Sequence, residues 1–346
     1  MASRTKLLVA LAAGLGVLYV GYRIATSPLW ERFDPAEFWR SFLLVRPFYL
    51  LLAVALIFAS YFFRSLRWRE FLRPLRAGHL IPIFVATVVG FSAVALFARP
   101  GEVVRPWLIA RKEGLPVSSQ LGAWALERVF DSLTLSGLLG LTLFWLSSHP
   151  ALAGEAAASL RNGGFVLFLG AVLVGLLVLA FRRKQAFFLA VLRWLIRPLP
   201  QRYQTALETM FEHFSMGLAG MESFSGLLRC AFYSLLVWLT PLLAYGSIAR
   251  AMGEPMSRLG WEAISLVLAA SVVGSLAYLP GVGGGTQVAS VVTLTEIFGI
   301  PLSVASSAAI LFWAVAFLSV LVPGLPLAAR EGLGWQRLRR VAKEGL

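Results

Sequence analysis

AISLVLAASVVGSLAYLPGVGGGTQVASVVTLT, residues 263–295, runs for 33 residues without a charge. An apolar stretch of about 20 residues crosses a bilayer as a helix. This one is broken in its middle at Pro280, Gly281, Gly283, Gly284 and Gly285, so it reads as two apolar arms joined by a turn. Further apolar runs lie on either side, at 7–22, 47–63, 80–98, 118–148, 165–181, 227–248 and 297–329. Across the 346 residues 58% are hydrophobic and 14% charged, where a soluble domain carries about 25% charge. The chain is therefore an all-α polytopic membrane protein. The runs are continuous and do not alternate, which excludes a β-barrel. Soluble enzymes, nucleic-acid-binding domains and disordered chains are excluded with it.

The formal charge is +14, and its distribution sets orientation. Segments 1–6, 64–76, 182–202 and 330–343 hold 18 of the 31 Lys and Arg, while 23–46, 149–162 and 250–258 hold 7. The positive-inside rule puts the four rich segments, and both termini, on the cytoplasmic side of the cytoplasmic membrane. Run 7–22 could be a signal peptide, but the spans that follow favour a retained helix. Parity then fails unless 79–117 enters from the cytoplasm and returns to it, and 261–300 enters from outside and returns outside. The expected architecture is about six full spans plus two re-entrant or broken-helix hairpins of opposite polarity, as an inverted repeat produces. The alternative is a pair of ordinary interhelical turns. The whole of 1–346 is expected to form a single transmembrane domain.

Two flanking segments read as interfacial. Asp34-Pro35-Ala36-Glu37 has the order of an N-cap, a proline at N1 and an acid in the first turn, ahead of Phe38, Trp39 and Phe42. Segment 184–222 carries Tyr203, Leu207, Met210, Phe211, Phe214 and Leu218 at helical spacing, an amphipathic stretch on the cytoplasmic side. With one cysteine, Cys230, three scattered histidines and two aspartates, no metal site and no cofactor is expected.

Ionisable groups inside apolar runs are costly and usually face a cavity or each other. Arg99, Glu102 and Arg105 lie at the turn of the first hairpin, and Glu127, Arg128 and Asp131 lie within the long run that follows. Glu127 and Asp131 are four apart and share a helix face; Arg128 and Asp131 can pair. With Arg111, Lys112 and Glu113 included, basic groups outnumber acidic ones by one. Arg99, Arg105 and Arg128 are the expected lipid-phosphate ligands, because arginine forms bidentate contacts with phosphate. Glu102, Glu127 and Asp131 would orient them. The competing reading is an internal ion-pair network that only locks the hairpin. At the second tip, Gly283–Gly285 leave backbone amides ahead of a helix expected near Thr286, a potential anion site. Gln287 follows them.

These residues resemble a known family. Arg99-Pro-Gly-Glu-Val-Val-Arg105, followed by Leu126-Glu-Arg-Val-Phe-Asp131, is similar to the Pro-Gly-x-x-Gly-Glu-x-x-Arg … Glu-Arg-x-x-Asp pattern of the lysylphosphatidylglycerol synthase transmembrane (flippase-like domain) family. Leu279-Pro-Gly-Val-Gly-Gly-Gly-Thr-Gln287, then Phe298-Gly-Ile-Pro301, resembles its Pro-Gly-Gly-x-Gly-x-x-Glu … Gly-x-Pro segment. The likeness covers about residues 7–330. It departs at Gln287, where the family often has Glu, and at Trp313, where an Arg is common. The resemblance implies lipid translocation, as in the flippase half of the multipeptide-resistance proteins. About 17 residues follow the last run, so their soluble aminoacyl-transferase domain is not expected. The reading is a non-enzymatic lipid transporter whose ligand is an anionic phospholipid or a polyprenyl-phosphate-linked lipid. No nucleic-acid partner is expected; a lipid-modifying enzyme is a possible one. Two alternatives stay open: an integral-membrane transferase with Glu102, Glu127 or Asp131 as base, and a scaffold subunit of a lipid-modifying complex.

Overall fold

Pro35 and Pro47 each open a helix, because a fixed φ suits the first turn, where the missing N–H costs nothing. The structure, a computed structural model, describes residues 32–73, 78–146, 155–219, 224–279 and 283–334. The first apolar run, Pro280, Gly281 and the end of the last basic segment lie outside these residues. The helices are α1 (Pro35–Leu43), α2 (Pro47–Leu72), α3 (Leu80–Phe97), α4 (Val104–Glu113), α5 (Val117–Leu146), α6 (Glu155–Arg183) and α7 (Gln185–Ile196). Then come α8 (Gln201–Ala219), α9 (Phe224–Met252), α10 (Trp261–Gly274), α11 (Gly285–Val292), α12 (Leu302–Trp313) and α13 (Leu321–Arg330). Two residues at Tyr278–Leu279 pair antiparallel with Gly283–Gly284. Among the described residues, four helical stretches are long and apolar enough to cross a membrane: Pro47–Leu72, Leu80–Phe97, Ser225–Met252 and Leu302–Arg330.

The expected cap at Asp34 is present: its carboxylate accepts the Ala36 N–H at 2.8 Å, and Phe38, Trp39 and Phe42 pack edge to face behind it. Trp39, Tyr203 and Met210 are exposed, as an apolar face turned to lipid would be. One boundary differs from expectation. Residues 155–162, read as loop, begin α6, because Glu155-Ala-Ala-Ala-Ser-Leu is rich in strong helix formers.

Polar and cation–π contacts sort the helix ends into two sets. At one end the Arg46 N–H donates to the Ala251 carbonyl, the Asp34 N–H donates to Ser303 Oγ, and Arg250 lies over the Trp261 ring. At the other end Arg229 pairs with Glu70, Lys112 with Glu331, and the His79 N–H donates to Glu113. α3 therefore leaves the second end and α4 returns to it, while α10 and α12 both start from the first. The arms differ in length. α3 has 18 residues, about 27 Å at 1.5 Å per residue; α10 has 14, about 21 Å on the same rise.

Small residues let the arms touch. A Cβ on Gly90 of α3 would lie 2.5 Å from Arg105 Cβ of α4, and one on Gly274 of α10 would lie 2.2 Å from the Gly285 carbonyl oxygen. The turn between α3 and α4 contains Ala98 at φ 57°, a region that favours glycine and costs another residue about 1–3 kcal/mol. The 3-10 turn Arg99–Val103 follows directly.

Candidate functional site

Two carboxylates organise the interior. Glu127 on α5 is fully buried. Its Oε1 accepts from Arg64 at 3.3 Å, Arg67 at 3.0 Å and Arg105 at 3.2 Å. Its Oε2 accepts from Arg105 and, at 3.4 Å, from Arg128. One turn on, Asp131 pairs with Arg64 at 2.9 Å, Arg67 at 2.7 Å and Arg128 at 3.3 Å. The i, i+4 spacing puts both acids on one face of α5, facing α2 and α4. Aromatic rings complete the packing: Arg105 lies 4.4 Å from the Trp68 ring centre and Arg64 lies 5.5 Å from that of Phe91.

A cavity of about 540 Å³ opens against this cluster, lined by Arg64, Arg99, Glu102, Arg105, Arg128 and Asp131, with Trp124 and Trp238 among its apolar walls. Arg67 and Glu127 stand behind it. Together, Arg64, Arg67, Arg99, Arg105 and Arg128 face three acids, Glu102, Glu127 and Asp131. The surplus is two positive charges, one more than the sequence alone suggested. Arg99 and Glu102 hold no ion pair among the described residues, and the Arg128 side chain is 44% exposed. An anion entering the cavity would meet Arg99 and Arg128 without first breaking the buried pairs of Arg67. A separate recess of about 410 Å³ between α5 and α6 shares Arg128 and Ser132 with the cavity.

The sequence-predicted set is thus brought together in part. Arg99, Glu102, Arg105, Glu127, Arg128 and Asp131 converge. Arg111, Lys112 and Glu113 do not: Lys112 pairs with Glu331 and Glu113 with His79. The charge distribution assigns Arg64 and Arg67 to a cytoplasmic segment, yet α2 runs on to Leu72 and turns both inward. No local signal separates them from the rest of the basic segment, where Arg73 and Arg76 share the same i, i+3 spacing. At the second hairpin, Gly283 and Gly284 close onto Tyr278–Leu279, Gly285 packs on Gly274, and Thr286 Oγ1 donates to the Gln287 side chain. The residues of this hairpin that line the cavity are Val272, Ser275 and Leu276. Gly283, Gly284 and Gly285 lie outside that lining; Gly283 and Gly284 pair within their own hairpin.

Over 162 residues the chain is 32% identical to the glycosyltransferase AglD of Haloferax volcanii, a match covering 45% of this chain and 23% of that protein. The chain thus spans less than a quarter of AglD's length. Over 255 residues it is 28% identical to a UPF0104 membrane protein of Methanothermobacter thermautotrophicus, covering 69% of this chain and 72% of that protein. The sequence profile of the lysylphosphatidylglycerol synthase TM region matches residues 7–324, nearly the whole chain, and the protein is a multi-pass membrane protein that belongs to this family.

Proposed function

We propose that the protein is a lipid transporter of the flippase type. The phosphate of an anionic or lipid-linked headgroup binds in the cavity at Arg99, Arg105 and Arg128, with Arg64 beside them. The observation that carries this reading is the uncompensated charge: four guanidiniums and two carboxylates line a cavity with largely apolar walls, and the Arg67–Glu127 pair behind it leaves that surplus of two unchanged. Phosphate supplies the missing negative charge and matches the planar fork of arginine. The side recess at Arg128 would let a headgroup enter while its chains stay in hydrocarbon. The chain lies in the cytoplasmic membrane with both termini inside, and the segments 79–117 and 261–300 dip into the membrane from opposite faces. The shared end of His79 and Glu113 supports the first dip.

Arg105→Ala tests the reading in vesicles carrying the reconstituted protein and a fluorescent phosphatidylglycerol. Glu127 keeps Arg64, Arg67 and Arg128 in that variant, so the protein folds and inserts while lipid flip is lost. Arg105→Lys retains part of the activity, since an ammonium cannot make the bidentate contact. Full activity of Arg105→Ala removes the phosphate site.

The likeness to a glycosyltransferase favours a second reading, in which this domain serves a transferase acting on lipid-linked substrate. Release of a sugar or phosphate product by the purified chain, without flip, would select it.

A further inference from the structure

Leu135 and Trp238 each face two cavities. One is the cationic cavity. The other is an apolar groove of about 370 Å³ between α5, α9 and α10, walled by leucines such as Leu138, Leu139 and Leu268 and reaching Trp145. Along α5 the cavity occupies Trp124 to Leu135 and the groove Leu135 to Trp145, so the two lie end to end, the groove about 15 Å long by the helical rise. Two of its polar groups, Thr142 and Ser265, bond each other at 2.8 Å. Its remaining polar residue, Glu262, is an acid at the opposite end of the site from the arginines. Trp238 stands at the junction with its indole N–H buried and unpartnered among the described residues. Cations at one end, hydrocarbon walls in between and a carboxylate beyond suit one kind of guest: an anionic amphiphile in a single direction.

Resting on the phosphate reading above, we infer that this groove holds one hydrocarbon chain of the same lipid, with Trp238 donating to an oxygen at the chain's head. The chain then points away from the end where Lys112 meets Glu331 and toward the end where Arg46 meets Ala251. That is the orientation of a lipid in the leaflet at the arginine-rich, cytoplasmic end. The conformation is therefore one loaded from the inner leaflet.

The test uses the full chain in detergent and native mass spectrometry. Dioleoyl phosphatidylglycerol is the lipid probe, and glycerophosphoglycerol is the headgroup without chains. Leu139→Trp and, as a second plug at an exposed position, Leu141→Trp should each weaken lipid binding about tenfold, equivalent to losing the burial of about two methylenes. Neither should change binding of glycerophosphoglycerol, whereas Arg105→Ala weakens both probes. Unchanged lipid binding in both Trp variants overturns the chain site and leaves the phosphate site standing. Equal loss of both probes in the Trp variants overturns it too, because the damage is then general. If Arg105→Ala alters neither probe, the bound lipid is annular, and the phosphate reading fails together with the chain site.

Discussion

Glu127 does most to hold the charged interior in place. Four guanidiniums lie within 3.4 Å of its oxygens or closer, and no water-exposed surface remains on the side chain. Removing one partner of a buried ionic cluster typically costs about 3–5 kcal/mol, because the remaining charges stay buried without compensation. Glu127→Gln should therefore lower thermal stability in detergent sharply. Arg128→Ala should lower it far less, since Arg128 is half-exposed and its loss leaves Glu127 and Asp131 with Arg64 and Arg67. Both variants should lose lipid flip. Similar melting temperatures for the two would mean that Glu127 does not organise the cluster. Glu127, Arg128 and Asp131 are legible in the sequence because each interrupts an apolar run, and Glu102 and Arg105 because they flank a Pro-Gly turn between two runs. Arg64 and Arg67 are not, because they follow the apolar run directly. A tally of basic residues at a span end gives orientation, but it is blind to which of them face the protein. Helical phase decides that, and it turns Arg64 and Arg67 inward while leaving Arg73 largely exposed.

At the scale of the element, the α3–α4 hairpin sets the position of Arg105. Its two arms are in contact where Gly90 meets the Arg105 backbone, with no room for a methyl group. The turn is fixed by Ala98 in a conformation few non-glycine residues adopt. Gly90→Val must push the arms apart, and overpacking of this kind costs about 1–3 kcal/mol. Arg105 then leaves both Glu127 and the Trp68 ring. Insertion should be normal, lipid flip should fall as it does for Arg105→Ala, and adding Arg105→Ala to Gly90→Val should lower flip no further. An additive loss would show that the glycine acts elsewhere. Proline and glycine at 100–101 mark this turn in the sequence, and the turn is where they place it. The close approach of Gly90 is tertiary, and no local signal distinguishes it from the other glycines of apolar helices.

For the whole molecule, the distribution of basic residues and the packing of the helices give the same partition of helix ends by unrelated routes. Charge counting groups 64–76 with 330–343 and separates both from 250–258. Packing brings Leu72 and Leu333 into one hydrophobic cluster and places Met252 and Met256 in another with Ala53 and Ile57. Charge bias acts during insertion and core packing acts in the folded state, so neither imposes the other. The two returning helix pairs proposed above agree with both routes, and the bond from the His79 N–H to Glu113 puts 79 and 113 at one end. The arrangement predicts labelling. The native Cys230 is buried, so an introduced cysteine can be read against a silent background. At Arg258, whose side chain is 73% exposed, it should react with an impermeant maleimide in intact cells. At Arg73 and Arg193, also exposed, it should react only after the membrane is permeabilised. Labelling of Arg73→Cys in intact cells with protection of Arg258→Cys would invert the molecule. Labelling of both would break the partition of ends and, with it, the two opposed hairpins proposed above.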